Sequence, residues 1–492
     1  MSRGVAQLRP FEPGRDGDFD TVKAAHLLNR AGFGGTPEEV AQVAACGPRR
    51  AVEQLLDFPD APAEEQSPTD VPDLSSIEGY PRTFAERRRL LAGKTPEERQ
   101  ALQQKFQMAN REALQAVVGW WLGRMVRGPW PLQEKLTLFW HGHFTTSARD
   151  ERSAFLMWQQ NELLRRQSAG NFKQFVKSIS RDPAMLDYLN NSQNRKASPN
   201  ENYARELMEL FTLGIGNYTE RDIKEAARAF TGWTHDGEQF VCRRSDHDTG
   251  EKTFFGRTGT FDGDDIIDII FQHPAVGPYI CGKLWSHFVY EDPEPEICQE
   301  LGRMLREAGW DLRPVLFTMF TCRGFYSDRA IGTQIKSPIQ LIVGTTRLLE
   351  VPMPPVRQLA GALDQMGQIP LAPPNVKGWP GGRAWINTST LLVRYNTCVF
   401  LAGQGEAIRG GRVARRLMGR GRDASPDGPR VKLQGASAED LVDEWVSRLI
   451  QRPIDPEKRR ILLECISGRE NEEHAIRSMI QLIVSMPEYQ LC

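Results

Sequence analysis

The chain has 492 residues, 40% hydrophobic and 25% charged, with a formal net charge of −1. That balance describes a globular protein of about two to four domains, and excludes a global field that would recruit nucleic acid or an anionic membrane. Its eight cysteines include no C-x-x-C pair, which excludes a zinc knuckle and a thioredoxin-type site and favours a reducing compartment.

Residues 1–20 read as a polar arm without the apolar run of a signal peptide, and no window is long enough to span a bilayer. A cytoplasmic location without a membrane span is therefore expected. Helical periodicity dominates the rest of the chain: a main helical domain over 21–402, a Gly/Arg-rich linker or loop over 403–437, and a C-terminal helical unit over 438–492. The segment His26–Leu56 reads as two helices, the second opened by Thr36-Pro37-Glu38-Glu39, with an N-cap, a proline at N1 and acids in the first turn. A long charged helical region, Pro81–Met125, leads into an apolar helix at Glu134–Phe144, and residues 151–190 add two more helices.

Ser198–Phe211 is the densest stretch. Ser198 and Glu201 stand at capping-box spacing with Pro199 at the first helical position, and Tyr203, Leu207, Leu210 and Phe211 form one apolar stripe. Thr219 and Asp222 cap the next helix. Gln239–Cys242 and Lys252–Phe255 read as two strands that pair across the loop between them. Tyr279–Tyr326 and Leu441–Tyr489 share an order of helix, turn, helix, helix, which His26–Phe58 echoes in part. The expected fold is mainly α: a multi-helix globular body with helical-hairpin repeats and a small β-hairpin. The arginines of 403–437 lack interleaved aromatic residues, so a solvated linker is favoured there over a nucleic-acid patch.

Four constellations carry candidate chemistry. In Trp140-His141-Gly142-His143-Phe144, an extended backbone would let His141 and His143 ligate one metal, whereas a continuing helix would part them by about 160°. On the helix of Ser198–Phe211, Asn202, Arg205, Glu206 and Glu209 gather opposite the apolar stripe. Glu206 and Glu209 at i and i+3 can share a divalent cation or split into acid and base. The alternative is a network in which Arg205 bridges carboxylates and holds helices in register. In Asp246–Lys252, His247 or Asp248 suits an acid or base and Lys252 an anion-orienting cation, against an Asx-type turn as the plain alternative. The loop Pro373–Gly382, with Trp379, suits a pocket wall, a lid or a structural corner. No G-x-S-x-G, Walker, G-x-G-x-x-G or H-E-x-x-H motif is present.

These segments resemble the bacterial family catalogued as domain of unknown function 1800. The likeness rests on Leu27–Gly34, Trp140–Phe144, Asn200–Leu207, Thr231-Gly232-Trp233, His247–Gly250, Phe255–Gly259, Met366-Gly367-Gln368 and Pro373–Pro380. Members of that family often carry export signals and are often encoded beside a second family that looks like the alkaline phosphatase and sulfatase fold. The resemblance thus implies a phosphatase- or sulfatase-like partner. The leading expectation is a metal-dependent enzyme, with hydrolysis the foremost class. His141, His143, Glu206 and Glu209 would serve a divalent ion; His247, Asp248, Asn202, Arg205 and Lys252 would serve catalysis. The rival is a non-enzymatic scaffold or maturation partner.

Overall fold

Three-residue strands are too short to organise this chain, and helices do so instead. The computed structural model describes residues 3–59, 72, 74, 77–81, 84–150, 153–403, 437–467 and 472–492. The first helices are α1 Arg3–Gln7, α2 Thr21–Arg30, α3 Pro37–Cys46 and α4 Pro48–Leu56. Thr36 opens α3 with the expected reciprocal cap: its hydroxyl accepts from Glu39 N (3.3 Å) while Glu39 Oε2 accepts from Thr36 N (2.8 Å). The long charged region is divided into α5 Phe84–Leu91 and α6 Pro96–Arg127, because Thr95 and Glu98 form a second capping box and restart the helix.

Next come α7 Pro131–His143, α8 Ala154–Arg166, α9 Phe172–Ser180, α10 Pro183–Tyr188, α11 Asn202–Glu206 and α12 Glu220–Ala229. The strands depart from expectation. β1 Trp233–His235 pairs antiparallel with β2 Phe240–Cys242, and β3 Lys252–Phe254 with β4 Arg257–Gly259. There are two local hairpins, and the segment expected to join one hairpin lies between them. Short-range closure of each pair wins over the longer connection, which would leave more chain to order.

The remaining helices are α13 Gly263–Ile270, α14 Val276–Phe288, α15 Pro295–Glu307, α16 Arg313–Thr321, α17 Pro338–Leu349, α18 Val356–Gln365, α19 Thr388–Leu401, α20 Ala438–Leu449, α21 Pro456–Ile466 and α22 Glu472–Ser485. The α14–α16 and α20–α22 runs bear out the repeated helix, turn, helix, helix order. The arginine-rich linker falls, but for its end residues Gly403 and Ser437, outside the described residues.

Helix α7 is the hub. Leu132, Leu136, Phe139 and Trp140 face the largest apolar cluster, while Leu138 joins a second one with Trp121, Ile339 and Leu363. A helix buried on both sides buries its polar residues too, and Glu134, Lys135, His141 and His143 are all under 6% exposed. Each must find a partner inside or bear a desolvation cost.

Candidate functional site

The start of the Ser198–Phe211 segment does not follow the expected capping box. Asn200 Oδ1 accepts from Asn202 N at 2.9 Å and Asn194 Oδ1 from Asn200 N at 2.8 Å, so asparagine side chains set the helix start at Asn202. After five residues α11 widens into a π-helical turn, Leu207–Thr212. Such a turn re-aims its carbonyl groups, and here side chains take three in succession. Tyr279 Oη donates to Glu209 O (3.2 Å) and Leu210 O (2.9 Å), Lys283 Nζ to Leu210 O (3.1 Å), and His143 Nε2 to Phe211 O (3.1 Å).

Those contacts form one wall of a cleft of about 660 Å³ between α7, α14 and the end of α2. Lys135, His143, Lys283, His287 and Arg30 line it, and Trp379 and Pro380 close one side. The loop Pro373–Gly382 is therefore a pocket wall. Gly378 lets it sit there: its φ is +80°, and a Cβ would fall 2.2 Å from the carbonyl oxygen of Gly142.

The chemistry of the cleft is set by burial. The carbonyl of Phe211 can only accept, so His143 carries its proton on Nε2 and turns the Nδ1 lone pair toward Lys283 Nζ, 3.4 Å away. Burial, helped by the Lys283 charge, holds this imidazole neutral, well below its ordinary pKa. Burial also draws Lys283 down to about 8 and Lys135 to about 7. His287 is pushed down to about 3 by burial and by Lys135 and Arg30. A larger hollow of about 850 Å³ opens beside α6, where Asp187 is already paired with His235 at 3.0 Å.

The structure places the expected residues differently. Helix α7 continues through His143, so His141 and His143 point apart as a helix requires, and the extended geometry needed for a shared metal is not adopted. His141 packs against the rings of Trp121 and Trp379, with centroids 5.6 and 5.5 Å away. Among the described residues no three His, Cys, Asp or Glu side chains converge as a metal ligand group. Glu206 is half-buried, its pKa raised by burial and by Glu209, and Glu209 Oε2 accepts from Tyr218 Oη at 3.0 Å.

The other expected residues are engaged within the chain. Asn202 donates to Leu189 O at 3.2 Å, and Arg205 pairs with Glu220 (2.8 Å) and Glu201 (3.3 Å). His247 Nδ1 lies 2.7 Å from Thr231 O. Asp248 accepts from Arg228 Nε at 2.8 Å and Gly250 N at 2.8 Å, and Lys252 donates to Asp248 O and Gly250 O. That segment is an internally bonded turn, and His247, Asp248 and Lys252 do not line the cleft.

Arg30, Lys135, Tyr279, Lys283 and His287 were missed by the reading of the sequence alone. The signal for Arg30, Lys135, Lys283 and His287 was a cationic or imidazole side chain inside an otherwise apolar helical period, most plainly Lys135 between Leu132 and Leu136; Tyr279 carried none.

Neither the curated proteins nor the solved structures gave a match to this chain. A family model described as "Protein of unknown function (DUF1800)" matches residues 26–491. That span holds the π-turn, the cleft and all three helical units, and the chain belongs to this family.

Proposed function

We propose that the protein is an enzyme that works by proton transfer at the Lys283–His143 pair, with hydrolysis as its reaction class. The observation that carries this reading is the 3.4 Å approach of Lys283 Nζ to the unprotonated Nδ1 of a neutral, buried histidine on the wall of a ligand-sized cleft. A lysine brought down to about 8 exchanges its proton near neutral pH, which is where a general acid or base works best. Lys283 as ammonium can protonate a leaving group and as free amine can take a proton from water, with His143 Nδ1 accepting its hydrogen bond and orienting it.

A panel of nitrophenyl phosphate, sulfate and carboxylate esters tests this with the wild-type chain and Lys283→Met. The substitution should lower turnover of any accepted ester by about 10²-fold or more while leaving the circular dichroism spectrum unchanged. Equal turnover by the variant, or no turnover of any ester by the wild type, overturns the reading. Metal dependence is a separate proposal, read from the metal content and chelator sensitivity of the same preparation.

A second reading, a scaffold or maturation partner for a phosphatase- or sulfatase-like protein, is favoured by one observation. Arg205 spends its guanidinium on Glu220 and Glu201, so part of the polar face holds helices together. A protein of this kind would leave every ester untouched.

A further inference from the structure

Three cationic side chains, Arg30, Lys135 and Lys283, line the cleft beside the carboxylates of Glu291 and Asp292. Arg30 is 2% exposed and donates through Nη2 to Val289 O and Ala330 O; the Cys492 thiol also hydrogen-bonds the guanidinium, and among the described residues no oxygen or nitrogen meets its buried Nε and Nη1. Lys135 is 4% exposed and gives one proton to Gln340 Oε1 at 2.7 Å, with the ring of Phe33 beneath it at 5.0 Å. His287 Nε2 is buried without a hydrogen-bond partner among the described residues. Among the described residues neither Arg30 nor Lys135 forms an ion pair, although a buried guanidinium or ammonium ordinarily requires one.

Three groups of the chain come near: Glu291 and Asp292 line the same cleft, and Cys492 acts on the same cations. Glu291 acts on Arg30, but as the weakest of the influences on it. The Cys492 thiol, to which Gln340 Nε2 donates at 3.4 Å, faces Arg30, Lys135 and Lys336 together. One thiol offers at most one negative charge against three cations.

We infer that Arg30, Lys135 and His287 form a binding site for a tetrahedral oxyanion, either the phosphate or sulfate group of a substrate or the free inorganic ion. The donor set fits that class. Arg30 keeps N–H protons on Nε and Nη1, an ammonium adds a cationic donor with free protons, and an imidazole adds one further N–H when protonated at Nε2. They come from three elements, α2, α7 and α14, so they approach a ligand from several directions. A planar carboxylate has two oxygens to offer; a phosphate or sulfate has three or four.

The site deepens the proposed function by naming the group on the substrate, and rests on that reading only for this step. Binding of the free ion does not depend on it. Titration calorimetry with inorganic phosphate, sulfate and acetate, on the full chain, tests the site. Phosphate or sulfate should bind saturably at one site per chain, and more tightly than acetate. Lys135→Met should weaken that binding by about 10-fold or more. Arg30→Lys, which keeps a buried cation but removes the Nε and Nη1 donors, should weaken it as well.

Absence of saturable phosphate and sulfate binding overturns the site. So does equal affinity in Lys135→Met, or acetate binding as tightly as phosphate. Phosphate binding that survives in Lys283→Met while turnover does not differ between that variant and wild type would remove the catalytic reading and leave the anion site standing. Turnover lost in Lys283→Met without any anion binding by the wild type would do the reverse.

Discussion

His141 shows how a single position separates a ligand from a buried neutral side chain. Neither ring nitrogen has a hydrogen-bond partner, and burial alone pushes its pKa down to about 3. The folded state therefore holds a neutral ring, and the unfolded state takes up a proton below its ordinary pKa of 6.5. Stability is fully present above about pH 6.5 and is lost as pH falls from there toward 3. His141→Phe, which fits between two tryptophans, should remove this loss. Urea denaturation at pH 5 should show the variant gaining about 2 kcal/mol relative to wild type compared with the same difference at pH 8. An unchanged difference between the two pH values would mean that the ring is charged or solvated. A fall in bound metal in the variant would restore His141 as a ligand.

Elements are held in place by Glu134, which the sequence reading passed over. It sits on α7 with 1% exposure, and its carboxylate accepts from Arg124 Nε (2.8 Å) on α6, Arg165 Nε (2.8 Å) and Nη2 (3.0 Å) on α8, and Trp121 Nε1 (3.0 Å). Arg165 counters the burial cost most strongly and Arg124 next, so the net effect is to keep Glu134 ionised below the usual carboxylate range. Glu134→Gln removes the carboxylate on which the buried Arg124 and Arg165 meet, while Arg165 keeps Glu162. A loss of about 3–5 kcal/mol is expected in chemical denaturation, and a loss under 1 kcal/mol would show that the helices are held by apolar packing alone. Helix starts were legible where one side chain had a single local option, as at Thr36 and Thr219. The start at Ser198 was not, because Asn194 Oδ1 takes the Asn200 N–H that a cap at Ser198 could use and Asn200 Oδ1 in turn takes that of Asn202. The π-helical turn was illegible for a related reason: its carbonyl groups are held by Tyr279, Lys283 and His143, which arrive from distant parts of the chain.

At the scale of the whole molecule, the C-terminal helices complete the core of the body. Leu441, Trp445, Ile476, Ile480 and Ile483 share an apolar cluster with Leu341, Leu348 and Leu349 of α17 and Cys398 and Leu401 of α19. Gln490 Oε1 accepts from Arg394 Nε at 2.8 Å, and Lys336 N donates to Gln490 O at 2.9 Å. Removing residues 438–492 would expose the apolar side chains of α17 and α19 at about 1.5–3 kcal/mol each, together comparable with the whole stability of a typical domain. The shortened chain should lose its cooperative melting transition; an unchanged transition would make the unit an independent appendage. Among the described residues no helix is long and apolar enough to cross a membrane. Composition and helical period alone determined the mainly α class and the repeated helical units, since each depends on neighbours a few residues apart; that Pro373–Gly382 is a pocket wall was decided by its packing against Gly142. The candidate site was decided by tertiary structure. His141 and His143 were read as partners and point apart because α7 continues through both. Arg30, Lys135, Lys283 and His287 are separated by up to 257 residues and read singly as charges within apolar helices. Only the packing of α2 and α14 against a hub helix buried on both sides brings them to one cleft, where the low dielectric makes each unanswered charge count.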